Sequence, residues 1–456
     1  MSWLGHEWRL LVRSKMAVSA LILLLLLSTL AVLCGVREVA RQGQTIDSLA
    51  GLQQLDLAAQ ARKYTNGGNA GSAAYYTFHS TWDAPSPMSF LALGLRDAAP
   101  YVLRVRALAL QAQLHEGESF NPELALAGRF DFAFVLVYLA PLFLIALLYD
   151  LISGERRAGR LATLMAMPGA GRRLWLRRAG LRTAIVFGCL VLPVLAGASI
   201  NVTGTATAAI AGALVVTAAY LAFWCGLALI VATRGASCAF NAMALMGCWA
   251  LLTLILPTLA NAAVARAVPV HQGVDLMLGQ RQAVHGAWDL PPDATMEKFF
   301  RTHPEWRNTA PLPSGFHWKW YYAFQQLGDE SVAKQVTDYR EGLLARQRWT
   351  ARLGWLLPGV GVQTALHRQA GTDLQAQLAY QDRIAEFHER LRAFYYRYLF
   401  NELTFGAQDF AAQPRFNPQT PSSQAPAGQL LGLIFMGIVA LLLGAAAAGR
   451  IRPIGS

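Results

Sequence analysis

The chain has 456 residues, of which 54% are hydrophobic and only 14% charged. Soluble domains carry roughly a quarter charged residues, so this balance, with a mean hydropathy of +0.33, excludes an ordinary soluble protein and points to a membrane protein. A net charge of +12 would suit a nucleic-acid binder, but the placement of charge excludes one: residues 37–129 hold 8 basic against 8 acidic side chains, residues 266–427 hold 17 against 15, and the basic excess sits in short segments beside apolar runs.

Taken in chain order, residues 1–15 place Trp3, Leu4, Trp8, Leu11 and Val12 on one face, with Arg9, Arg13 and Lys15 beside it, as expected of an interfacial helix. Residues 16–36 are apolar and long enough to span a bilayer. The run is longer than a signal-peptide core, and Leu33 stands before Cys34 where a lipoprotein signal needs a small residue. An uncleaved first span is therefore expected. Residues 37–130 are polar. They carry helical spacing at Ile46, Leu49, Leu52 and Leu55, then a break at Asn66-Gly67-Gly68-Asn69.

A second span covers 131–150, and a polar loop covers 151–180 with Arg156, Arg157, Arg160, Arg172, Arg173, Arg177 and Arg178. Within it, Ala158, Leu161, Ala162, Leu164 and Met165 fall on one helical arc and Arg156, Arg160 and Thr163 on the other. This spacing predicts one amphipathic helix over 155–167, stopped by Pro168-Gly169. Further spans are expected at 181–200, 207–233 and 238–265, with Pro141, Pro193 and Pro257 as kinks.

The second long polar stretch, 266–427, contains an aromatic run from Phe316 to Tyr322 and predicted helices over 331–349 and 372–400. The longer helix repeats Leu374, Leu378, Ala385, His388, Leu391, Tyr395 and Tyr398 on one face. Pro414, Pro418, Pro421 and Pro426 read as a stiff linker to a last span at 428–449 and a tail at 450–456. The expected fold is thus an all-α polytopic membrane protein with six transmembrane helices. Basic loops stay in the cytoplasm, which puts both termini, the 151–180 loop and Arg234 there. The two long stretches then lie outside, as one mostly helical extracytoplasmic domain.

Chemistry is sparse. No Gly-Lys dipeptide occurs, so there is no Walker A loop, and no GxSxG, HExxH or CxxC occurs either. The five cysteines all lie in or beside apolar spans, which leaves the polar stretches without a disulfide framework. No histidines stand at ligand spacing. No catalytic residue, metal or cofactor of this chain is expected, and the chain does not read as an enzyme. Trp318, Trp320 and Tyr321 read either as a contact patch for an extracytoplasmic partner or as the core of a small domain.

An N-terminal interfacial helix, six spans and a loop reading Ser153-Gly154-Glu155-Arg156-Arg157-Ala158-Gly159-Arg160-Leu161, followed by Leu164, Pro168, Arg172 and Arg173, resemble the ABC-2-type transporter permeases. The resemblance is to the subfamily with a large extracytoplasmic domain inserted between spans. It implies that the loop is a coupling helix docked on a separate ATPase subunit, with Glu155, Arg156, Arg157, Gly159, Leu161, Leu164 and Pro168 as the coupling residues. It also implies ATP and Mg on that partner, a permease homodimer or pseudo-symmetric heterodimer, and a place in the bacterial inner membrane. Export is the leading expectation. Relay of ATPase motion to extracytoplasmic partners, as in metalloenzyme maturation, is the alternative, and a membrane-anchored enzyme is the third.

Overall fold

The computed structural model describes residues 3–115, 129–167, 171–201, 207–234, 237–270, 273–418 and 427–451. Its dominant element starts at Ser14, whose hydroxyl accepts from the Ala17 N–H at 3.3 Å. From this cap runs a single helix, Lys15–Lys63, of 49 residues. At 1.5 Å per residue it is about 70 Å long, more than twice a hydrocarbon core of about 30 Å. The expected first span and the helical spacing beyond Glu38 are therefore one rod. Glu38 stitches the boundary: it accepts from Arg41 at 2.9 Å and from Gln42 at 3.0 Å, three and four residues on.

Among the described residues, six helices are long and apolar enough to cross a membrane: Lys15–Lys63, Phe132–Arg157, Arg172–Ile200, Thr207–Ala232, Cys238–Ala267 and Ala427–Ala448. Asp131 caps the second of them, accepting from Phe134 N–H and from Leu93 N–H, each at 2.9 Å. Pro141 lacks the donor that would bond four residues back. A π-helical turn over Val135–Leu139 absorbs the mismatch, and the Val137 carbonyl instead accepts from the Tyr220 hydroxyl at 2.9 Å. Pro257 likewise follows a π turn, Leu251–Ile255. The fourth and sixth spans touch backbone to backbone. A Cβ on Gly226 would lie 2.3 Å from the Ala440 carbonyl, and one on Gly437 would lie 2.7 Å from the Ala219 oxygen. Small residues are what allow helices in lipid to approach this closely.

Beside this bundle sits a second core, rich in aromatic side chains. It joins Tyr64, Ala74 and Leu108 from the first polar stretch to Phe299, Trp320, Tyr380, Phe387 and Phe405 from the second. Among the described residues its only sheet is a hairpin pairing His79–Trp82 antiparallel with Val102–Val105. The helix expected over 372–400 is Leu374–Phe400, capped by Asp373, which accepts from Ala376 N–H at 3.1 Å. Its predicted face is buried except for half-buried Ala385. The helix expected over 331–349 needs correction. Ser331 ends one helix, Trp318–Ser331, and the next is Ala333–Leu353. Of the linker prolines, Pro421 and Pro426 lie outside the described residues.

Several helices have no counterpart among the sequence expectations, Gly273–Gly286 and Pro292–Thr302 among them, and one of these lies against the bundle. Pro358–Ala370 starts with Pro at its first position and ends at Gly371, which takes a left-handed φ of 62°. It is buried along its length except for half-buried Arg368. It packs on the fourth, fifth and sixth spans and on the start of the second. Val362, Ala365, Leu366 and Ala370 belong to the core of the membrane bundle, although the helix is connected on both sides to the aromatic unit. It is a wedge between the two.

Candidate functional site

The polar loop after the second span is two short helices, Ser153–Arg157 and Leu161–Ala166, not the single helix expected over 155–167. Gly159 makes the break, with φ +71°. Its N–H bonds the Arg156 carbonyl, and the Arg160 N–H reaches back to the Glu155 carbonyl, each at 3.0 Å. That is the paired bonding of a Schellman cap, which needs a left-handed residue at this position. Glycine adopts it without a Cβ clash.

Side-chain directions divide the expected coupling residues. Leu161 is 1% exposed and, with half-buried Leu164, packs against the membrane bundle. Glu155 is engaged within the chain: Arg178, on the third span, donates to it at 3.0 Å and Arg160 at 2.8 Å. Arg178 also donates to Glu7 of the N-terminal helix Trp3–Arg13 at 2.8 Å, with both side chains 7% exposed. The Arg178 guanidinium lies 5.6 Å from the ring of buried Trp175. One arginine thus clasps the N-terminal helix, the loop and the third span. Arg156 is half-buried, while Arg157, Ala162, Thr163 and Met167 are among the exposed residues of the loop. Pro168 lies outside the described residues.

At the other end of the bundle, the wedge is gripped by the first polar stretch. Ser86 and Ser89 donate to the Ala370 carbonyl at 2.6 and 2.9 Å, which satisfies the helix C-terminus. Thr372 donates to the Ala92 carbonyl at 2.9 Å, and Leu95 N–H returns a bond to the Thr372 carbonyl at 2.9 Å. A second clasp ties the long rod to the aromatic unit. Asp83 accepts from Arg96 and from Arg383, each at 2.5 Å. Arg96 also donates to Gln42 of the rod at 3.0 Å. Rod, first stretch and second stretch therefore meet at one buried carboxylate.

The aromatic run divides as well. Trp320 is buried, and Trp318 and Tyr321 are half-buried. Tyr321 contacts Tyr75, and Trp318 contacts Phe316. This places the run chiefly in the domain core, with Phe316 and Trp288 as its exposed rim. The residue that spacing alone misses is Lys319, which is fully buried and donates to Glu402 at 2.6 Å, the Ala310 carbonyl at 2.9 Å and Thr309 at 3.1 Å. No group of three or more metal-ligating side chains occurs among the described residues.

A family model described as a domain of unknown function, DUF3526, matches residues 275–419. The matched stretch includes the aromatic run, the wedge and the helix Leu374–Phe400, so it covers most of the second polar stretch and none of the six spans. No curated protein and no solved structure matches the chain.

Proposed function

We propose that this chain is the membrane-spanning subunit of an ATP-driven transporter of the ABC-2 permease type, with hydrolysis on a separate ATPase subunit that binds the ATP and Mg. In this reading both termini, the 151–180 loop and Arg234 face the cytoplasm of a bacterial inner membrane, and the aromatic unit faces outward. Two such subunits, identical or related, would engage two ATPases. The observation that carries the reading is the clasped loop. It is short, fastened by Arg178 to two other elements, and leaves Arg157, Ala162, Thr163 and Met167 exposed. An element that receives force from a partner must be stiff on its own side and open on the other, and this loop is both.

A second reading, relay of ATPase motion to a partner outside, is favoured by a specific observation. The rod Lys15–Lys63 runs unbroken from the bundle into the aromatic unit, and the wedge joins the two again. Movement of the first span would therefore reach the outer unit without passing through a flexible joint.

The test uses the exposed residues and leaves the clasp intact. Met167→Asp with Thr163→Glu is expected to leave insertion and folding unchanged. It should weaken co-purification of the ATPase by at least about 30-fold, the effect of losing one interface hot spot of about 2 kcal/mol. ATP hydrolysis by the complex should fall with it. Undiminished co-purification and hydrolysis would remove the loop from the mechanism.

A further inference from the structure

The helix Ala333–Leu353 leaves the aromatic unit and descends beside the fifth span. Arg346 on it donates to the Val268 carbonyl at 2.9 Å, just past the end of that span. Further along, buried Leu357 packs with Leu252, Leu256 and Ala260 of the same span. From Ala242 to Ala260 the span carries no charged or amide side chain. A run of about 20 such residues fills a hydrocarbon core of about 30 Å, so the edge of the core falls near Ala260 and Leu357 lies at or below it. The last span gives the same depth. Trp355 lies against Gly432, in the second turn of Ala427–Ala448, where an added Cβ would meet the indole at 2.9 Å.

At this depth the chain is bare. Trp349, Trp355 and Leu356 are 45%, 47% and 75% exposed. Indoles concentrate at the boundary between lipid and water, where the ring is apolar and the N–H stays wet. Arg348 and Arg352 are exposed beside them. They stand four residues apart, which puts them on one side of the helix about 6 Å from each other along its axis. That is the thickness of one headgroup layer, about 5–7 Å. The Arg352 guanidinium lies 5.2 Å from the Trp349 ring. No acidic residue occurs from Gly342 to Thr372. Of the four arginines there, Arg346 is answered by the Val268 carbonyl and Arg368 by Asp373, whereas Arg348 and Arg352 meet no carboxylate among the described residues. Two like charges one turn apart repel each other, and an anion between them removes the conflict.

We propose that Arg348 and Arg352 form a site for an anionic phospholipid in the leaflet on the side of the aromatic unit, with Trp349 and Trp355 at the lipid–water boundary and an acyl chain against Leu356. A guanidinium matches a phosphate group through paired N–H donors. A zwitterionic lipid already answers its phosphate with its own cation, so two unpaired arginines favour a lipid of net negative charge. The turn after Leu353 leads straight into the wedge, so the bound lipid braces the joint between aromatic unit and bundle. The site depends on the bundle lying in a bilayer and is independent of any ATPase at the 151–180 loop.

The test places a coumarin amino acid at position 356 of the full chain in phosphatidylcholine nanodiscs. The nanodiscs contain a small fraction of either phosphatidylglycerol or phosphatidylcholine carrying a nitroxide quencher near the top of one acyl chain. Both lipids should quench the coumarin, and a water-soluble nitroxide should not. Labelled phosphatidylglycerol should reach half-quenching at no more than about a tenth of the mole fraction that labelled phosphatidylcholine needs, the effect of two arginines at an anionic headgroup. Arg348→Gln with Arg352→Gln should remove that difference and leave quenching by labelled phosphatidylcholine unchanged. Arg62→Gln with Arg390→Gln, which removes the same charge from exposed positions elsewhere on the aromatic unit, should preserve it. Quenching from water and not from lipid overturns the placement of this turn in the bilayer. Equal quenching by the two lipids in the wild type, or a preference that survives in Arg348→Gln with Arg352→Gln or is lost equally in the Arg62/Arg390 control, overturns the site.

Discussion

Asp83→Ala is expected to loosen the aromatic unit from the rod and to lower its melting temperature by an amount on the order of 10 °C. The substitution leaves two guanidinium groups, Arg96 and Arg383, facing an empty site with side chains only 5% and 15% exposed. Removing one member of a buried ion pair costs about 3–5 kcal/mol, because the remaining charge is stranded away from water. For a unit of 150–250 residues each kcal/mol moves the midpoint by about 2–4 °C. Gln42 would keep its bond to Arg96 but lose the carboxylate that holds Arg96 in place. Differential scanning fluorimetry reads the midpoint, and limited proteolysis reads release of the 83–97 loop. Asp56→Ala is the control. Its partner Arg104 is 2.7 Å away, but both side chains are more than half exposed, and such pairs are worth about 0–1 kcal/mol. An equal fall in the two variants would show that the buried carboxylate holds nothing together.

Arg178→Met should release the N-terminal helix and disable the loop at once. Glu7 loses its partner while still 7% exposed, and Glu155 keeps only the exposed Arg160. Lysine is a weak replacement, since one ammonium cannot span two carboxylates as the planar guanidinium does. The expected result is rapid tryptic cleavage at Arg9 and Arg13 in nanodiscs, with the six spans still inserted. Arg178→Lys should fall between wild type and Arg178→Met. Protection of Arg9 and Arg13 equal to wild type in Arg178→Met would show that the clasp does not hold the helix down. Glu155→Arg is uninformative about docking for the same reason. It would set a second cation against Arg178 and break the clasp from inside.

The spans are legible in the sequence because a run of about 20 apolar residues is the length that crosses a bilayer and few soluble elements need one. The face of Leu374–Phe400 is legible because Leu374, Leu378, His388, Leu391 and Tyr395 keep the helical period. The clasps are not. Glu7, Glu155 and Arg178 come from three separate stretches, and nothing in their spacing brings them together. By its place in the loop, Glu155 reads as a charge offered to a partner, whereas it is engaged within the chain. The wedge is hidden for a different reason. A helix buried on every side shows no amphipathic period, and Gly359 and Gly361 weaken its propensity. Its only local signals are Pro358 at the start and Gly371 at the end. Lys319 would be read as surface from its type alone, yet it is buried beneath the aromatic run on three acceptors.

The proposed function requires a partner ATPase to meet the exposed residues of the clasped loop. The direct measurement is photo-crosslinking in intact cells from a benzophenone amino acid placed at Thr163, which is exposed on that loop. The same probe at Leu290, exposed on the aromatic unit, is the comparison. Light is expected to join position 163 to a second chain carrying a Walker A loop, and position 290 is expected not to capture that chain. A probe at position 163 that captures only lipid or a protein without an ATP site, while position 290 captures the ATPase, would contradict the proposed coupling role.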